Sequence, residues 1–569
     1  MTEIKKYAIF EVSFTASYEG NPFKDVSLTA VFRRNADTDT PSVTVHGFYD
    51  GNNTWRIRFM PQEEGEWTYV TDSSLAVLNG QTGSFICTAA DAACHGPVRV
   101  NNTYHFAHAD GTRHISIGTT CYAWVYQPLE RQEQTLETLK NSPFNKIRMC
   151  VFPKWYEHNY DKTPILFPYE GSVEEGFDYE RPNVEFFRLL EQRVGQLAEH
   201  NIQADIIIFH PYERAEWAFN YMNEEQDALY MRYLIARLSA YHNVWWSMAN
   251  EWDIFIMKPT CPKSNPAYWN TLGRFVQTND PYGHLIGIHN CVQIFDHSAD
   301  WITHASMQRV DYYKTAEMTD SWRSSWHKPV VIDECTYEGD IDHAWGNITG
   351  EEMTRRFWEG TVRGGYMGHS ETYSCPEDVL WWSHGGILKG TSPARIAFMK
   401  ELLEEYPQYE IELISDFGDS VCGGCPKEYY LYYYSGFRPN KAHYNLPISR
   451  EYKAEVIDTW NMTRETLPGT YTGAVTIDLP ARQYMLVRFV AVKDVDLSTV
   501  IITPDSTLAD AAEMPNGYKL LDIIKAKGSE QNEGIEKLIY NMPIKMLQPY
   551  AGISDEALAE MLAMVNKKD

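Results

Sequence analysis

The pattern of apolar and polar residues divides the chain into segments of different periodicity. In residues 1–95, short runs alternate strictly between apolar and polar positions, which places one face of a strand in a core and the other in solvent. Turn residues separate these runs, so the segment predicts an immunoglobulin-like β-sandwich. The clearest runs are Phe10–Phe14, Val26–Phe32, Thr54–Phe59 and Gly65–Val70.

In residues 96–405 the pattern changes to short apolar runs that alternate with amphipathic segments of helical length. This order is typical of parallel β/α architecture. Eight strands with helices between them predict a (β/α)8 barrel, or TIM barrel, as the central domain. The predicted strands are His114–Thr120, Lys146–Phe152, Ala204–His210, Val244–Ala249, His284–His289, Ile302–Ser306, Val330–Asp333 and Gly364–His369.

Two segments follow the predicted barrel. Residues 406–493 return to strand-like runs such as Tyr429–Tyr434 and Tyr484–Phe489, which predict a second β-sandwich. In residues 494–569, apolar positions recur at helical spacing behind a candidate N-cap at Ser554, which predicts a small helical appendage. The predicted fold class is therefore α/β: a TIM barrel flanked by two β-sandwiches, with a helical tail.

Composition narrows the class of partner. The 569 residues are 44% hydrophobic and 22% charged, as in ordinary globular proteins, and carry a formal net charge of −27. This charge opposes nucleic acid or an anionic membrane as a partner, because phosphates would be repelled. No run reaches the roughly 20 apolar residues of a membrane span. The N-terminus lacks the apolar region of a secretory signal, and ten cysteines show no framework spacing. These features predict a cytoplasmic location and leave homo-oligomerisation open.

Two glutamates stand where predicted barrel strands end. Glu251 follows the fourth strand and Glu334 the seventh, and the carboxyl ends of the strands form the catalytic face of such a barrel. Glycoside hydrolysis needs two carboxyl groups, one to protonate the leaving oxygen and one to attack the anomeric carbon or activate water. Either glutamate alone could simply begin a solvated loop. Together they predict a retaining glycoside hydrolase with Glu251 as acid/base and Glu334 as nucleophile.

Tryptophan and histidine side chains also follow barrel strands. Trp124, Trp155 and Trp252 are candidate platforms for sugar rings, with core packing as the alternative for each. His210 and His289 are candidate hydrogen-bond partners of sugar hydroxyls. Strand-end histidines also occur in metal-dependent barrel hydrolases. The first strand lacks the His-x-His pair of such barrels, so we predict neither a metal nor a cofactor.

The segment Trp245–Asp253, with the sequence Trp-Trp-Ser-Met-Ala-Asn-Glu-Trp-Asp, resembles the apiosidase-like family within the clan of retaining barrel glycosidases. Gly47–Gly51 and Arg58–Pro61 resemble the sandwich that precedes that barrel, and Trp381–Gly386 resembles its closing segment. The resemblance covers roughly residues 5–490. It implies the same fold, a carbohydrate substrate and the same catalytic pair.

Carried over onto matching positions, the clan pattern makes Asn250 the residue that binds the sugar 2-hydroxyl and Arg148 the residue that orients the nucleophile. The chain departs from the pattern at strand six, where Gln308 lies near the position of a tyrosine, and at strand eight, where Glu371 lies near that of a tryptophan. Both residues, with Trp382, complete the predicted sugar-binding set. The departures leave a catalytically silent carbohydrate-binding barrel as an alternative.

Overall fold

The computed structural model describes residues 2–35, 41–156, 163–311, 314–375, 380–415, 420–527 and 539–567. The chain divides into two compact units, Met1–Gln408 and Tyr409–Asp569.

The first unit begins with a two-layered β structure of seven strands. They are β1 (Thr2–Lys5), β2 (Phe10–Thr15), β3 (Leu28–Arg34), β4 (Val43–Tyr49), β5 (Thr54–Phe59), β6 (Gly65–Ser73) and β7 (Thr82–Thr88). They pair in the order β1-β7-β6-β3-β4-β5-β2. The first part of β4 pairs with β3 and its last residues pair with β5, so this strand passes from one layer to the other. The aromatic core includes Phe32 and Phe59, whose rings stack 4.0 Å apart.

A hairpin, β8 (Val98–Asn101) and β9 (His105–His108), connects this structure to the barrel. The ring of Phe106 lies 5.1 Å from Trp245 and 5.0 Å from Tyr366, at the N-terminal ends of two barrel strands. The hairpin therefore covers the end of the barrel opposite the catalytic face.

The barrel confirms the predicted fold class. The remaining strands of the first unit are β10 (Gly118–Thr120), β11 (Lys146–Cys150), β12 (Tyr169–Ser172), β13 (Gly176–Pro182), β14 (Gln203–Phe209), β15 (Val244–Ala249), β16 (Ile286–Gly287), β17 (Ala305–Gln308), β18 (Val330–Glu334), β19 (Glu338–Gly339), β20 (Tyr366–His369) and β21 (Glu371–Thr372). Eight of them pair in the order β16-β15-β14-β11-β10-β20-β18-β17. A parallel bridge between His289 and Ser306 joins the two edges and closes the ring.

Amphipathic helices surround the barrel. They are α1 (Leu129–Lys140), α2 (Val184–Glu199), α3 (Glu224–Leu238), α4 (Pro266–Asn279), α5 (Thr319–Trp326), α6 (Gly350–Val362), α7 (Trp381–His384) and α8 (Ser392–Glu404). The fifth strand is shorter than predicted. The backbone N–H of His284 donates to the Asp280 carboxylate, and Nδ1 of the same residue also contacts that carboxylate. These contacts tie His284 to the turn after α4 instead of to a strand.

The second unit is again β-rich. Its strands are β22 (Glu412–Ser415), β23 (Val421–Cys425), β24 (Tyr429–Tyr433), β25 (Lys441–Asn445), β26 (Arg450–Asp458), β27 (Thr463–Thr466), β28 (Ala474–Asp478) and β29 (Met485–Asp494). Six form one sheet, and the pair β25–β28 covers it through contacts such as that of Tyr444 with Phe489.

Helices follow these strands in the second unit. They are α9 (Leu508–Glu513), α10 (Tyr518–Lys527), α11 (Ile544–Ala551) and α12 (Asp555–Val565). The Ser554 side chain accepts a hydrogen bond from the Ala557 N–H, which confirms the predicted N-cap. Across the described part of the chain, no helix combines the length and the apolarity that crossing a bilayer requires.

Candidate active site

Glu251 stands at the carboxyl end of β15 in a left-handed backbone conformation, with φ 54°. This conformation is unfavourable for a residue with a Cβ and costs about 1–3 kcal/mol. Both neighbouring peptides are fixed to adjacent strands, because the Asn250 N–H donates to Phe209 O and the Trp252 N–H donates to His289 O, each at 3.0 Å. The barrel thus holds the carboxyl group in one place at the expense of local strain.

Glu334 is the last residue of β18, and its carboxylate is surrounded by donors. The Tyr122 hydroxyl donates to Oε1. Burial, and then the nearby charge of Glu334, raise the pKa of the Tyr337 phenol well above its usual value. Arg148 Nη1 lies 3.7 Å from Oε1 and His289 Nε2 lies 4.0 Å from it. Burial, and then the charge of Glu334, raise the pKa of Tyr122 well above its usual value, so this phenol stays protonated and donates.

Arg148 and Asn250 connect the two carboxyl groups. Asn250 Oδ1 accepts from Arg148 Nη2 at 3.2 Å and lies 3.0 Å from the Tyr122 hydroxyl, whose single proton goes to the Glu334 carboxylate. The Asn250 Nδ2 group donates to Glu251 Oε2 at 3.2 Å. Because Oδ1 is engaged by Arg148, the orientation of the amide is fixed, and Nδ2 faces Glu251.

A buried ionic network lies beneath the site, inside the barrel. Lys146 Nζ lies 2.6 Å from Asp333 Oδ1 and 3.1 Å from Asp205 Oδ2, and Ser306 Oγ donates to Asp333 at 2.6 Å. Burial alone would raise the pKa of Asp333, but Lys146 and Arg148 outweigh it and hold that pKa well below its usual range. The network thereby surrounds Arg148 with fixed charges and supports its contact with the site.

Burial and then the charge of Glu334 raise the pKa of Glu251 to about 7. A carboxyl group with such a pKa holds its proton near neutrality and can act as a general acid. The Tyr212 hydroxyl donates to Glu251 Oε2, and this contact and the nearby Cys291 side chain both act to lower the pKa of Glu251. The charge of Lys154 also lowers the pKa of Glu251.

Lys154 lies within a group of aromatic rings beside the carboxyl pair. Its Nζ is 3.7 Å from the ring centre of Tyr122, 4.3 Å from that of Trp382 and 4.8 Å from that of Tyr212. Cation–π contacts of this kind stabilise a desolvated ammonium group. Burial lowers the pKa of Lys154, and both glutamates oppose this shift.

The structure brings several predicted residues together. Asn250, Arg148 and His289 contact or adjoin the two glutamates, and Trp382 borders the site through Lys154. Among the residues that the structure describes, neither ring nitrogen of His289 has a hydrogen-bond partner. Its burial lowers its pKa well below the usual value, so the ring is neutral and can both donate and accept.

Three predicted sugar contacts are instead occupied by contacts within the protein. Trp124 is fully buried and its indole N–H donates to Gln132 O, so its ring belongs to the core. Trp252 is also buried, edge-on against Phe295, and has no open face for a sugar. Both ring nitrogens of His210 contact backbone groups: Nε2 lies 3.0 Å from Phe152 O, and Nδ1 accepts the Tyr212 N–H at 3.2 Å.

Three further predicted contacts are engaged within the protein. Trp155 is half-buried beneath the Arg214 guanidinium, whose centre is 4.6 Å from its ring. Gln308 is the partner of Glu334 in the register of β17 and β18, and its backbone N–H and O pair with the Asn290 side chain. Glu371 is almost fully buried, and its Oε2 accepts the Lys389 N–H at 2.7 Å.

Sequence reasoning missed four groups that contact the glutamates or their loops. Tyr122, Lys154 and Tyr212 follow the first, second and third strands within a few residues, which is a positional signal that the sequence contains. Asp253 accepts the N–H groups of Cys291, Val292 and Gln293 at 2.6–2.8 Å and so holds the loop that carries Cys291. The role of Asp253 depends on the geometry of this loop, which leaves no recognisable pattern in the sequence.

A closed parallel barrel with two carboxyl groups at strand ends defines the architecture of a glycoside hydrolase. Comparison of sequences agrees: residues 100–407 match the model of the apiosidase-like catalytic domain. The chain belongs to the apiosidase-like family, and the protein is a glycoside hydrolase that acts on a carbohydrate. Residues 3–74 and 418–490 match two domains of unknown function, DUF5060 and DUF5605. No protein of curated function matches the sequence.

Solved structures support the same assignment. A candidate glycoside hydrolase from Bacteroides vulgatus is 35% identical, with a TM-score of 0.80 over 86% of this chain and 100% of that one. A glycoside hydrolase of family 5 from the same organism is 16% identical, with a TM-score of 0.53 over 70% of this chain and 93% of that one. The second similarity concerns the fold alone.

Proposed function

We propose that the protein cleaves a glycosidic bond with retention of configuration, with Glu334 as nucleophile and Glu251 as acid/base. The observation that carries this proposal is the connection from Glu334 through Arg148 and Asn250 to Glu251. It links one carboxylate surrounded by donors to one carboxyl group with a raised pKa. These are the opposite environments that nucleophile and acid require.

In the first step Glu334 attacks the anomeric carbon while Glu251 gives its proton to the leaving oxygen. The glycosidic bond breaks, a glycosyl ester forms on Glu334, and Glu251 becomes a carboxylate. The Tyr122 hydroxyl and Arg148 keep Glu334 oriented toward the sugar. The Nδ2 group of Asn250 donates to the 2-hydroxyl, a contact that strengthens as positive charge develops on the ring.

In the second step Glu251 takes a proton from water, and the resulting nucleophile attacks the anomeric carbon. The ester to Glu334 breaks, the sugar leaves with its original configuration, and Glu251 is protonated again. His289 adjoins Glu334 as a neutral ring and can hydrogen-bond a sugar hydroxyl in both steps.

We further propose small oligosaccharides or glycosides as substrates. Glu251 and Glu334 are only 7% and 8% exposed, which favours a closed pocket that accepts a chain end over an open cleft that binds a polymer. A cytoplasmic location, as the sequence predicts, would agree with substrates of this size.

A screen of aryl glycosides that spans furanosides and pyranosides tests the activity. We expect the wild-type protein to release the aryl alcohol from at least one sugar, and Glu334→Ala to release none. The matched control is Glu359→Gln, which removes a buried carboxylate from α6, away from the carboxyl pair. Turnover that persists in Glu334→Ala would contradict the assignment. Silence of the wild type across the panel, together with binding on a glycan array, would favour a non-catalytic binding protein.

The pH dependence of kcat/KM tests the role of Glu251 as acid. Its pKa of about 7 means that it is protonated below pH 7, so activity should fall as pH rises through that value. Lys154→Met removes a positive charge that favours the ionised form of Glu251, so the pKa of Glu251 should rise. The alkaline limb of the kcat/KM profile should therefore move to higher pH by roughly 0.5–1 unit. The control is Lys258→Met, which removes a lysine whose ammonium group donates to Pro211 O. This variant should leave the alkaline limb of the kcat/KM profile where it is in the wild type. A limb that does not move in Lys154→Met would contradict this role of the lysine.

A further inference from the structure

A second group of ionisable side chains lies above strands seven and eight. Glu338 on β19 pairs in register with Glu371 on β21, and His369 ends β20. All three side chains are buried, with exposures of 0%, 1% and 0%. One ligand-type atom from each residue lies within 4.8 Å of the other two.

Two atoms of this cluster have unsatisfied bonding capacity. His369 Nε2 and Glu371 Oε1 lie 3.7 Å apart, and neither has a hydrogen-bond partner in the described part of the chain. The other ring nitrogen of His369 lies 3.3 Å from Thr119 Oγ1, which fixes the ring with Nε2 toward Glu371. Leaving such buried polar atoms unpaired costs about 1–3 kcal/mol each, so a ligand between them would be strongly favoured.

The remaining carboxylate oxygens are held by neutral donors. Glu338 accepts hydrogen bonds from Thr391, Ser392 and Tyr373. Oε1 accepts three of these hydrogen bonds and Oε2 accepts the two from Ser392, so an ion at Oε2 would replace the hydrogen bond of the Ser392 hydroxyl, which can rotate away. The donors orient the carboxylate but do not neutralise its charge. Two carboxylates at this spacing in a buried site repel each other unless a proton or a cation lies between them.

The backbone leaves space between the two carboxylates. A Cβ atom on Gly390 would lie 2.5 Å from Glu338 Oε2 and 2.6 Å from Glu371 Oε1. Any other residue at position 390 would collide with both oxygens, so glycine keeps this cradle open.

We propose that Glu338, His369 and Glu371 bind one divalent transition-metal ion of the zinc type. Imidazole together with carboxylate oxygen is a donor set that suits zinc and its neighbours better than calcium or magnesium. Two ligands at about 2.0–2.1 Å from a tetrahedral zinc ion lie about 3.3 Å apart. The observed spacing of 3.7 Å between His369 Nε2 and Glu371 Oε1 needs to close by only a few tenths of an ångström.

This ion would be structural and would not take part in bond cleavage. It would fasten the loop after β18 to the loop after β20. Tyr337, which lies close to Glu334, immediately precedes Glu338. The inference is independent of the proposed catalytic roles, because its readout is bound metal and not turnover.

The metal content of the purified protein tests this site. The wild-type protein, prepared without chelators or an affinity tag that binds metal, should contain about one zinc ion per chain by mass spectrometry. After removal of metal, zinc chloride should rebind with a Kd below about 1 µM. Glu371→Gln keeps the shape of the side chain and removes its charge, and should weaken zinc binding by about 100-fold.

The control is Glu213→Gln, which changes a buried carboxyl group outside the cluster. Burial raises the pKa of Glu213 to about 8. This variant should bind zinc as the wild type does. Anomalous diffraction at the zinc edge from wild-type crystals should place one peak between the three side chains. No zinc binding by the wild-type protein, equal binding by Glu371→Gln, or a peak elsewhere would overturn the proposal.

Discussion

Glu334→Gln is expected to lower kcat by about 10⁴-fold or more on every substrate that the wild-type protein turns over. The change keeps the shape of the side chain and removes the negative charge that attacks the anomeric carbon. It replaces one carboxylate oxygen by an NH2 group, so the charged acceptor of the buried Tyr122 hydroxyl becomes a neutral one. The measurement is steady-state release of the aryl alcohol from the glycoside that the screen identifies.

The fold of this variant is checked by its thermal unfolding midpoint and circular dichroism. Glu359→Gln, which loses a buried carboxylate on α6, should keep kcat within about threefold of the wild type, because its partner Arg363 lies on the outer helix. If Glu334→Gln retained more than a tenth of the wild-type rate, another group would have to be the nucleophile.

Glu251→Ala is expected to lower kcat/KM by about 10²–10⁴-fold for substrates with a poor leaving group, because these need a proton in the transition state. Substrates with an activated leaving group should form the glycosyl ester almost normally and then accumulate it, since no base activates water. Pre-steady-state kinetics should therefore display a burst of aryl alcohol followed by slow turnover.

Azide distinguishes this account from a simple loss of structure. Removing Glu251 leaves space beside the anomeric carbon, and azide needs no general base to attack. We expect azide to restore turnover in Glu251→Ala and to give a glycosyl azide of retained configuration, whereas Glu334→Gln gives no such product. Equal losses for good and poor leaving groups, without rescue, would contradict the acid/base role.

The fold was accessible from sequence because burial leaves a strong pattern. Each of the eight barrel strands lies within or beside a predicted apolar run, and β15 matches its predicted limits, Val244–Ala249. The fifth strand was overestimated because a side chain, Asp280, captures the backbone at its start. Periodicity reports burial and does not report such local competition for hydrogen bonds.

Loop residues were harder to assign because the path of the chain after a strand decides where a side chain lies. Trp124 starts a short 3-10 turn that directs its ring toward α1, while Tyr122, two residues earlier, reaches Glu334. Both are aromatic residues just after the first strand, so composition and position could not separate them.

The departure at strand six also has a structural answer. The chain has Gln308 near the place where related barrels carry a supporting tyrosine. Here the Tyr122 hydroxyl, from the first loop, donates to Glu334, and the Tyr337 phenol, from the seventh loop, lies close to that carboxylate. The same chemical support thus comes from different elements, which a comparison of aligned positions cannot detect.

The most direct test of the central claim is to trap the glycosyl–enzyme intermediate. The wild-type protein would be incubated with the 2-deoxy-2-fluoro derivative of the sugar that the screen identifies, carrying an activated leaving group, and then digested with pepsin. We predict one modified peptide, with the sugar attached to Glu334, and inactivation that a competing substrate slows. A sugar attached to another residue, or a product of inverted configuration with no covalent adduct, would contradict the account.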